Sequence, residues 1–340
     1  AAVNDSGIRC RMARLTINDK DAVPEGFGET LDAGIAETER VKSKWENEKI
    51  SVTASTIGIT YCEPDQLIEL WKWTDENDRQ FDIHAPAVFD QKYLAARRGW
   101  EGGSFEWLDH VGILGPNLIA AHAQNLRPGE EKLIANAGAS IALVPDMEQV
   151  LGLVNFNARP FLDSNITCGI GLDGAVVAYG HNIWTAMRGY LTAQRMGDQH
   201  RLMMSETDIK WTGEEILYGS AEQALELATI DGAKALMMDD QIGSIEAGKE
   251  ADLVLIDRTE ESHLTPMGSL IASLVYGNGP NQNAIEAVMV HGEVIVKKGQ
   301  HQSLNHQRIV EKSDQVQEIL LDETNARQYL RKRSRFTWID

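Results

Sequence analysis

Cysteine is scarce in this sequence, and no segment is typical of membrane insertion or export. The three cysteines, Cys10, Cys62 and Cys168, have no Cys-x-x-Cys spacing. We therefore expect no disulfide framework and favour a reducing, cytoplasmic compartment. The chain has no run of about 18 apolar residues, which argues against a membrane partner. Its opening residues lack the basic and apolar regions of a signal peptide.

Positive charge is also in short supply. Lys and Arg number 32 against 51 Asp and Glu, which gives a net charge of −19 over 340 residues. A chain this acidic is poorly suited to binding the phosphate backbone of a nucleic acid. We therefore expect a small-molecule substrate and no nucleic-acid partner. The 43% apolar and 24% charged residues are typical of a globular protein. The length suits one large α/β domain with something smaller attached.

Strands and helices alternate up to about residue 200. Strand-like segments lie near residues 10, 52, 82, 119, 142 and 169, and helical segments separate them. This alternation predicts parallel strands joined by crossover helices. A closed (β/α)8 barrel has eight such units in about 250 residues, so the count falls two short at the N-terminal side.

The later part of the chain has a different pattern. A helix over 220–236 begins with a capping box of Ser220 and Gln223. Residues 243–257 read as strand, turn and strand, and residues 284–300 read as a hairpin, which together predict a small β-sheet. The charged stretch from 306 to 335 predicts a solvent-exposed helix.

Three polar residues end predicted strands: His84, His122 and Asp173. In a barrel the carboxyl ends of the strands converge on the face where active sites lie. Two imidazoles and a carboxylate there would bind a divalent metal, with zinc as the first choice and iron or manganese as alternatives. The metal would lower the pKa of a bound water toward about 7, and Asp173 would bind the metal and take a proton from that water. For any one of these residues alone, a structural hydrogen-bonding role is the alternative.

Weaker candidates accompany these three. Trp100 follows the segment that ends at His84 and can either line a pocket for a planar ring or serve only as packing. His181 is expected to be a surface residue at a helix start rather than a ligand. Cys168 is expected to be buried and inert.

Four stretches of the sequence together resemble one known family. They are LGPNLIAAHAQNL (114–126), ALVPDMEQVLG (142–152), GIGLDG (169–174) and the long motif ATIDGAKALMMDDQIGSIEAGKEADLVLID (228–257). The resemblance is to the amidohydrolase superfamily, in its cytosine-deaminase-like and chlorohydrolase branch, which includes triazine hydrolases. It covers roughly residues 7–300.

The resemblance implies a fold and a division of the chain. Members have a distorted (β/α)8 barrel of the TIM type and a small β-sandwich built from both chain ends. We therefore expect an α/β barrel, incomplete at the N-terminal side, over residues 1–236, a small β-sandwich portion over 237–300 and a C-terminal helical tail over 301–340.

It also implies roles for individual residues. His84 resembles the metal-binding histidine that ends the fifth barrel strand. His122 resembles the histidine after the sixth, which binds a second metal or holds the attacking water. Asp173 resembles the aspartate after the eighth, a metal ligand that shuttles the proton of the water. Glu148 lies in the loop after the seventh strand, where members often contact substrate; an exposed surface carboxylate is the alternative.

The sequence departs from the family pattern at two places. The paired histidines that end the first barrel strand are absent, so the chain resembles a member that lacks roughly its first hundred residues. At Ala87 the family's proton-transferring glutamate is replaced by a methyl group. Glu148 is our hypothesis for the missing carboxylate.

Three functions follow as alternatives. The first is a metal-dependent hydrolase that attacks a carbon–nitrogen bond of a cyclic or heteroaromatic compound. The second keeps the fold but removes chloride or opens a ring amide. The third is a catalytically inactive fragment. An incomplete barrel would expose strand edges and apolar faces, so we also expect a homo-oligomer or poor solubility.

Overall fold

Six parallel strands form the main part of the fold. The computed structural model describes residues 1–19, 23, 26–85, 90–123, 125–152, 156–178, 180–204, 218–264 and 268–330. The parallel strands are β1 (Cys10–Leu15), β2 (Ile50–Ser55), β3 (Phe81–His84), β4 (Leu118–Ala121), β5 (Ser140–Leu143) and β6 (Cys168–Ile170). All six predicted barrel strands are confirmed, and their carboxyl ends share one edge.

The six strands form two ladders that meet between β2 and β3. One ladder pairs β1 with β2, and the other has the order β3-β4-β5-β6. Side chains of β2 bridge the junction, since Thr53 Oγ1 donates to Gln80 O at 2.6 Å and Ser55 Oγ donates to Asp82 O. Gly58 also forms a parallel bridge with His84. The strands therefore follow one another in chain order, as in a (β/α)8 barrel.

Helices connect the strands and continue beyond them. They are α1 (Ala2–Ser6), α2 (Leu31–Trp45), α3 (Pro64–Glu76), α4 (Asp90–Tyr93), which runs into a π-helical turn (Leu94–Arg98), α5 (Ser104–His110), α6 (Glu130–Ala137), α7 (Pro145–Val150), α8 (Arg159–Asp163), α9 (Ala175–Ala178), α10 (Ile183–Met204), α11 (Ala221–Ala228), α12 (Ile230–Ala235), α13 (Leu270–Tyr276), α14 (His306–Glu323) and α15 (Arg327–Leu330). None of the helices in the described ranges is long and apolar enough to cross a membrane.

Local sequence explains where the crossover helices begin. Thr30 caps α2 by accepting a hydrogen bond from the Ala33 amide at 3.3 Å. Pro64 occupies the first turn of α3, where its missing N–H carries no cost. One side of α3 then buries Leu67 and Leu70 completely. Burial of each such side chain contributes about 1.5–3 kcal/mol, which fixes the helix against the strands.

The helix predicted over 220–236 is two helices. Ser220 caps α11 as predicted, accepting from the Gln223 amide at 3.1 Å. The second half of the predicted capping box is wrong, because the Gln223 side chain instead accepts a hydrogen bond from the Tyr190 hydroxyl at 2.7 Å. The chain then breaks at Thr229, whose backbone angles of −127° and −97° end α11 before α12 begins.

A small antiparallel sheet follows the barrel strands. Its strands are β7 (Leu253–Ile256), β8 (Ile285–Val290), β9 (Glu293–Lys297) and β10 (Gln300–His301), in the order β10-β9-β8-β7. The predicted hairpin turns at His291 and Gly292, both with positive φ. The first strand predicted in 243–257 is wrong, because those residues form turns up to Ala251 and only Leu253–Ile256 is extended.

Residues near the start of the chain contact the segment that follows β9 of this sheet. Ser303 Oγ donates to Asp5 O at 2.9 Å, and a ring nitrogen of His301 lies 3.0 Å from Ser6 O. Helix α14 then extends away with no buried residue, as predicted for the charged tail. The domain boundaries at residues 236 and 300 stay a prediction.

Candidate active site

Two histidines lie side by side at the carboxyl edge of the strands. His84 is the last residue of β3, and His122 directly follows β4. Their ring centroids are 4.8 Å apart with the planes nearly perpendicular. Asp173 lies beyond the end of β6, and its Oδ2 is 3.9 Å from Nε2 of His122. The structure therefore brings together the three side chains that the sequence singles out.

The backbone is strained where two of these side chains leave it. His122, Ala123 and Asp173 have φ values of 73°, 49° and 58°, in the left-handed region that non-glycine residues avoid. The His122 amide still donates to Ala142 O at 3.0 Å, so the strained residue stays tied to β5. Such conformations persist only where the surrounding structure enforces them, and they cluster at functional sites.

Glu148 approaches the same histidine from helix α7. Its Oε1 lies 4.0 Å from Nδ1 of His122, and the residue is only 1% exposed. The alternative of an exposed surface carboxylate is therefore wrong. The sequence predicts a loop at Glu148, whereas Pro145 begins a short helix there. A proline directly after a strand is the signal that could have indicated this helix start.

Burial keeps both imidazoles neutral. It lowers the pKa of His84, and it is the largest cause that lowers the pKa of His122 to about 4; the neighbouring His84 adds to the effect and Asp173 opposes it. Neutral imidazole nitrogens have lone pairs for a metal. In the part of the chain that is described, Nδ1 of His122 is buried without a hydrogen-bond partner.

These donors fit a divalent metal in chemical type. Nitrogen and oxygen ligands lie about 2.0–2.2 Å from zinc, so neighbouring ligands in a tetrahedron are about 3.3–3.6 Å apart. The 3.9 Å between His122 Nε2 and Asp173 Oδ2 is slightly longer than this spacing. No group of three or more His, Cys, Asp or Glu among the described residues is arranged to hold an ion by itself. The fit therefore rests on the chemical type of these donors.

A cavity of about 300 Å³ opens beside His122 and Glu148. Its wall mixes apolar and polar residues, and two amide side chains, Asn125 and Asn157, are among the polar ones. The apolar residues are Ala123, Leu126, Leu143, Phe156, Pro160 and Phe161. A second cavity of about 260 Å³ borders His84 and includes Tyr61, Asp90 and Tyr93. A flat molecule with a few polar groups suits the first cavity.

The remaining candidates have different placements. Trp100 does not line either cavity; its indole nitrogen donates to Gly103 O at 3.0 Å and its ring stacks on His110. These contacts match the packing alternative. Ala87 lies outside the described residues. His181, which the sequence analysis set aside, has a ring nitrogen 3.1 Å from the backbone oxygen of Asp173. Cys168 is buried, as expected.

Parallel strands in chain order, with polar side chains gathered at their carboxyl ends, are the architecture of TIM-type barrel proteins. The chain belongs to the amidohydrolase family, whose sequence profile matches residues 2–295.

Curated relatives are named as deaminases. One is a 5-methylthioadenosine/S-adenosylhomocysteine deaminase of Desulforamulus reducens, 22% identical over 91% of this chain and 66% of that protein. Another is a 5'-deoxyadenosine deaminase of Methanobrevibacter smithii, 28% identical over 76% of this chain and 56% of that protein. The chain thus spans about two thirds of the length of the first relative and 56% of the length of the second.

Solved structures share the fold at low identity. An adenosine deaminase from Xanthomonas campestris with bound zinc superposes with a TM-score of 0.79, at 20% identity over 94% of this chain and 67% of that one. An atrazine chlorohydrolase from Arthrobacter aurescens in complex with zinc gives a TM-score of 0.79, at 21% identity over 92% and 67%. These likenesses establish the barrel architecture.

Proposed function

We propose that this protein is a metal-dependent hydrolase that cleaves a carbon–nitrogen bond of a cyclic or heteroaromatic small molecule. One observation carries the proposal: His122 lies against His84, Asp173 and Glu148 at the edge of a cavity lined by apolar and polar residues. Family membership and the deaminase names of the relatives support the same bond type.

His84, His122 and Asp173 would hold a divalent cation, with zinc as the first choice and iron or manganese as alternatives. A bound cation of this kind supplies a nucleophile at neutral pH, because it lowers the pKa of water to about 7. The two imidazoles contribute neutral donors, and Asp173 contributes a negatively charged one.

The carboxylates of Asp173 and Glu148 would transfer the proton of the attacking water. Asp173 accepts it from the attacking water, whose oxygen forms the new bond to the ring carbon. The carbon–nitrogen bond breaks, and the proton passes to the departing nitrogen. Glu148 would hold a proton near the substrate ring, because its Oε1 lies 4.0 Å from Nδ1 of His122 and the residue lines the cavity. Glu148 would take the proton-transfer role of the glutamate that family members have at the position of Ala87.

Metal analysis followed by a product screen tests this proposal. The purified chain is loaded with zinc, dialysed and analysed by mass spectrometry; we expect about one tightly held equivalent, lost in His122→Ala and in Asp173→Ala. His200→Ala, an exposed histidine on α10, is the matched control. The loaded chain is then screened with nitrogen heterocycles for released ammonia. Chloride release would favour the dechlorinating alternative, and no bound metal would favour the inactive fragment.

A further inference from the structure

A buried polar network lies behind the cavity that borders Glu148. Its centre is Gln194 of α10, which is fully buried and contacts the segment before α8. Gln194 Oε1 accepts from the Ala158 amide at 2.7 Å, and Gln194 Nε2 lies 3.3 Å from Asn157 Oδ1. Gln194 Nε2 also lies 3.1 Å from both carboxylate oxygens of Asp198. One glutamine therefore connects the cavity wall to a buried carboxylate.

Arginine contacts complete the network. Asp198 is 4% exposed and forms an ion pair with Arg201 at 2.5 Å. Arg201 Nη2 also lies 3.4 Å from Asn157 Oδ1. Asn157 thus receives two donors on the same oxygen, from Gln194 and Arg201.

The chemistry of these groups fixes which way the Asn157 amide faces. Arginine has only donors, so the Asn157 atom beside Arg201 must be the oxygen. The Ala158 amide is also an obligatory donor, which turns the Gln194 oxygen toward it and the Gln194 nitrogen toward Asn157 and Asp198. Both constraints give the same orientation, in which Oδ1 of Asn157 faces α10. The Nδ2 group is the end of the amide left to face the cavity that Asn157 lines.

We propose that Asn157 is a specificity-determining residue whose Nδ2 donates a hydrogen bond to the substrate. The inference rests on the proposed function in one respect, which is that a substrate binds in this cavity. Glu148 also lines this cavity, but its carboxylate oxygens are buried, so the selection rests on the Asn157 donor. This donor selects a planar ring that carries an acceptor, such as a ring nitrogen or a carbonyl oxygen. Gln194, Asp198 and Arg201 act as positioning residues.

A matched pair of ligands tests the donor directly. Purine and benzimidazole have the same fused-ring outline, but benzimidazole lacks the two acceptor nitrogens of the six-membered ring. We expect the wild-type chain to bind purine about three- to tenfold more tightly than benzimidazole, the range given by one net hydrogen bond. Ligand-observed NMR titration measures both affinities without requiring turnover.

Asn157→Asp is the decisive variant. It keeps an acceptor oxygen for Gln194 and Arg201 but presents an oxygen, instead of an N–H group, to the cavity. We expect the purine-to-benzimidazole ratio to fall to about one or below. Asn283→Asp adds the same charge at an exposed position away from the cavity and is the control; its ratio should stay close to that of the wild type. Circular dichroism melting checks that both variants fold.

Three results would overturn the proposal. They are equal binding of the two ligands by the wild type, an unchanged preference in Asn157→Asp, and no detectable binding of either ligand. Failure of the proposed hydrolysis is a separate result, because absent ammonia release leaves the binding ratio readable. A ratio that depends on Asn157 in a chain without turnover would support the specificity role and count against the proposed function.

Discussion

At the scale of the residue, the candidate site depends on groups that are buried and close together rather than on any one side chain. His122 has His84, Asp173 and Glu148 around it, and burial lowers its pKa to about 4. Among these groups Glu148 has the least support from sequence, since its residue type is usually exposed. Its burial gives it the strongest structural reason for a functional role.

Replacement of Glu148 by glutamine is expected to lower turnover by about 10²–10⁴-fold, because the amide cannot accept and return a proton. The substitution keeps the shape of the side chain, so thermal unfolding should change little. Asp146→Asn, on the same turn of α7, is the control and should leave turnover near the wild-type value. Steady-state ammonia release by the zinc-loaded chain makes the comparison. Equal turnover in Glu148→Gln and the wild type would remove Glu148 from the mechanism.

Sequence alone located His84, His122 and Asp173 because strand ends are recognisable and parallel strands bring their ends together. It could not show that Asp173 lies three residues beyond the end of β6, or that His122 takes a left-handed conformation. Those features depend on contacts between strands. The orientation of Asn157 was also inaccessible, because Gln194 and Arg201 are 37 and 44 residues away in the chain.

At the scale of the element, the strands and the longer helices follow from their local patterns, whereas short elements do not. Helix α3 begins at its proline as predicted. Helix α7 spans only six residues and shows too little periodicity to be recognised. The break at Thr229 follows four strong helix formers, and only weaker formers, among them Thr229, Ile230 and Gly232, mark it in the sequence.

One close contact between elements gives a direct test of packing. Gly34 of α2 faces Thr16, and a Cβ added at Gly34 would lie 2.4 Å from Thr16 Oγ1. Alanine is a better helix former than glycine by about 1 kcal/mol. We nevertheless expect Gly34→Ala to be destabilising overall, because overpacking a buried site costs about 1–3 kcal/mol.

Urea denaturation measures the free energy of unfolding of Gly34→Ala and of two further variants. Gly180→Ala, where a Cβ would meet nothing within 4 Å, is the control and should be close to neutral. In a Thr16→Gly background, Gly34→Ala should lower the free energy of unfolding less than it does in the wild type, because the side chain that it would contact is gone. A Gly34→Ala protein as stable as the wild type would contradict the close packing of α2.

At the scale of the whole molecule, ion pairs connect the small antiparallel sheet to the parallel strands, and the pair between Arg9 and Asp252 is bidentate. Arg9, just before β1, donates to Asp252, just before β7, through Nε at 2.6 Å and Nη2 at 2.9 Å. Asp252 also accepts from the His291 amide at 2.8 Å. Burial alone would raise the pKa of Asp252, but the Arg9 and His291 hydrogen bonds outweigh burial and the pKa is lowered.

Asp252→Asn is expected to lower the free energy of unfolding near neutral pH by about 1.5–3 kcal/mol, the usual contribution of a hydrogen bond to a charged group. The lowered pKa means that the folded chain holds the Asp252 proton less tightly than the unfolded chain does. This contribution is therefore present above about pH 3.9 and lost as pH falls below it. The stability difference between wild type and variant should shrink across that range. Denaturation of both proteins between pH 7 and pH 3 measures it, with exposed Asp240→Asn as the control.

Exposed apolar side chains predict association of the chain with itself. The small sheet exposes Val254, Leu255 and Val294, and α14 exposes Ile309 and Val316. Exposed apolar side chains that adjoin one another favour an interaction site. Light scattering coupled to size-exclusion chromatography should report a mass above the 37.7 kDa of one chain. This mass should not change with salt concentration, because the contact is apolar. A monodisperse monomer would contradict the expected homo-oligomer.

The left-handed backbone at His122 and Asp173 places the stability of the fold in conflict with its proposed function. Glycine occupies that conformation freely, whereas each of these residues costs the fold about 1–2 kcal/mol there. A library randomised at both positions and sorted for heat resistance alone should therefore enrich glycine. The survivors would be more heat-resistant than their parent and would have lost the two side chains proposed to bind the metal.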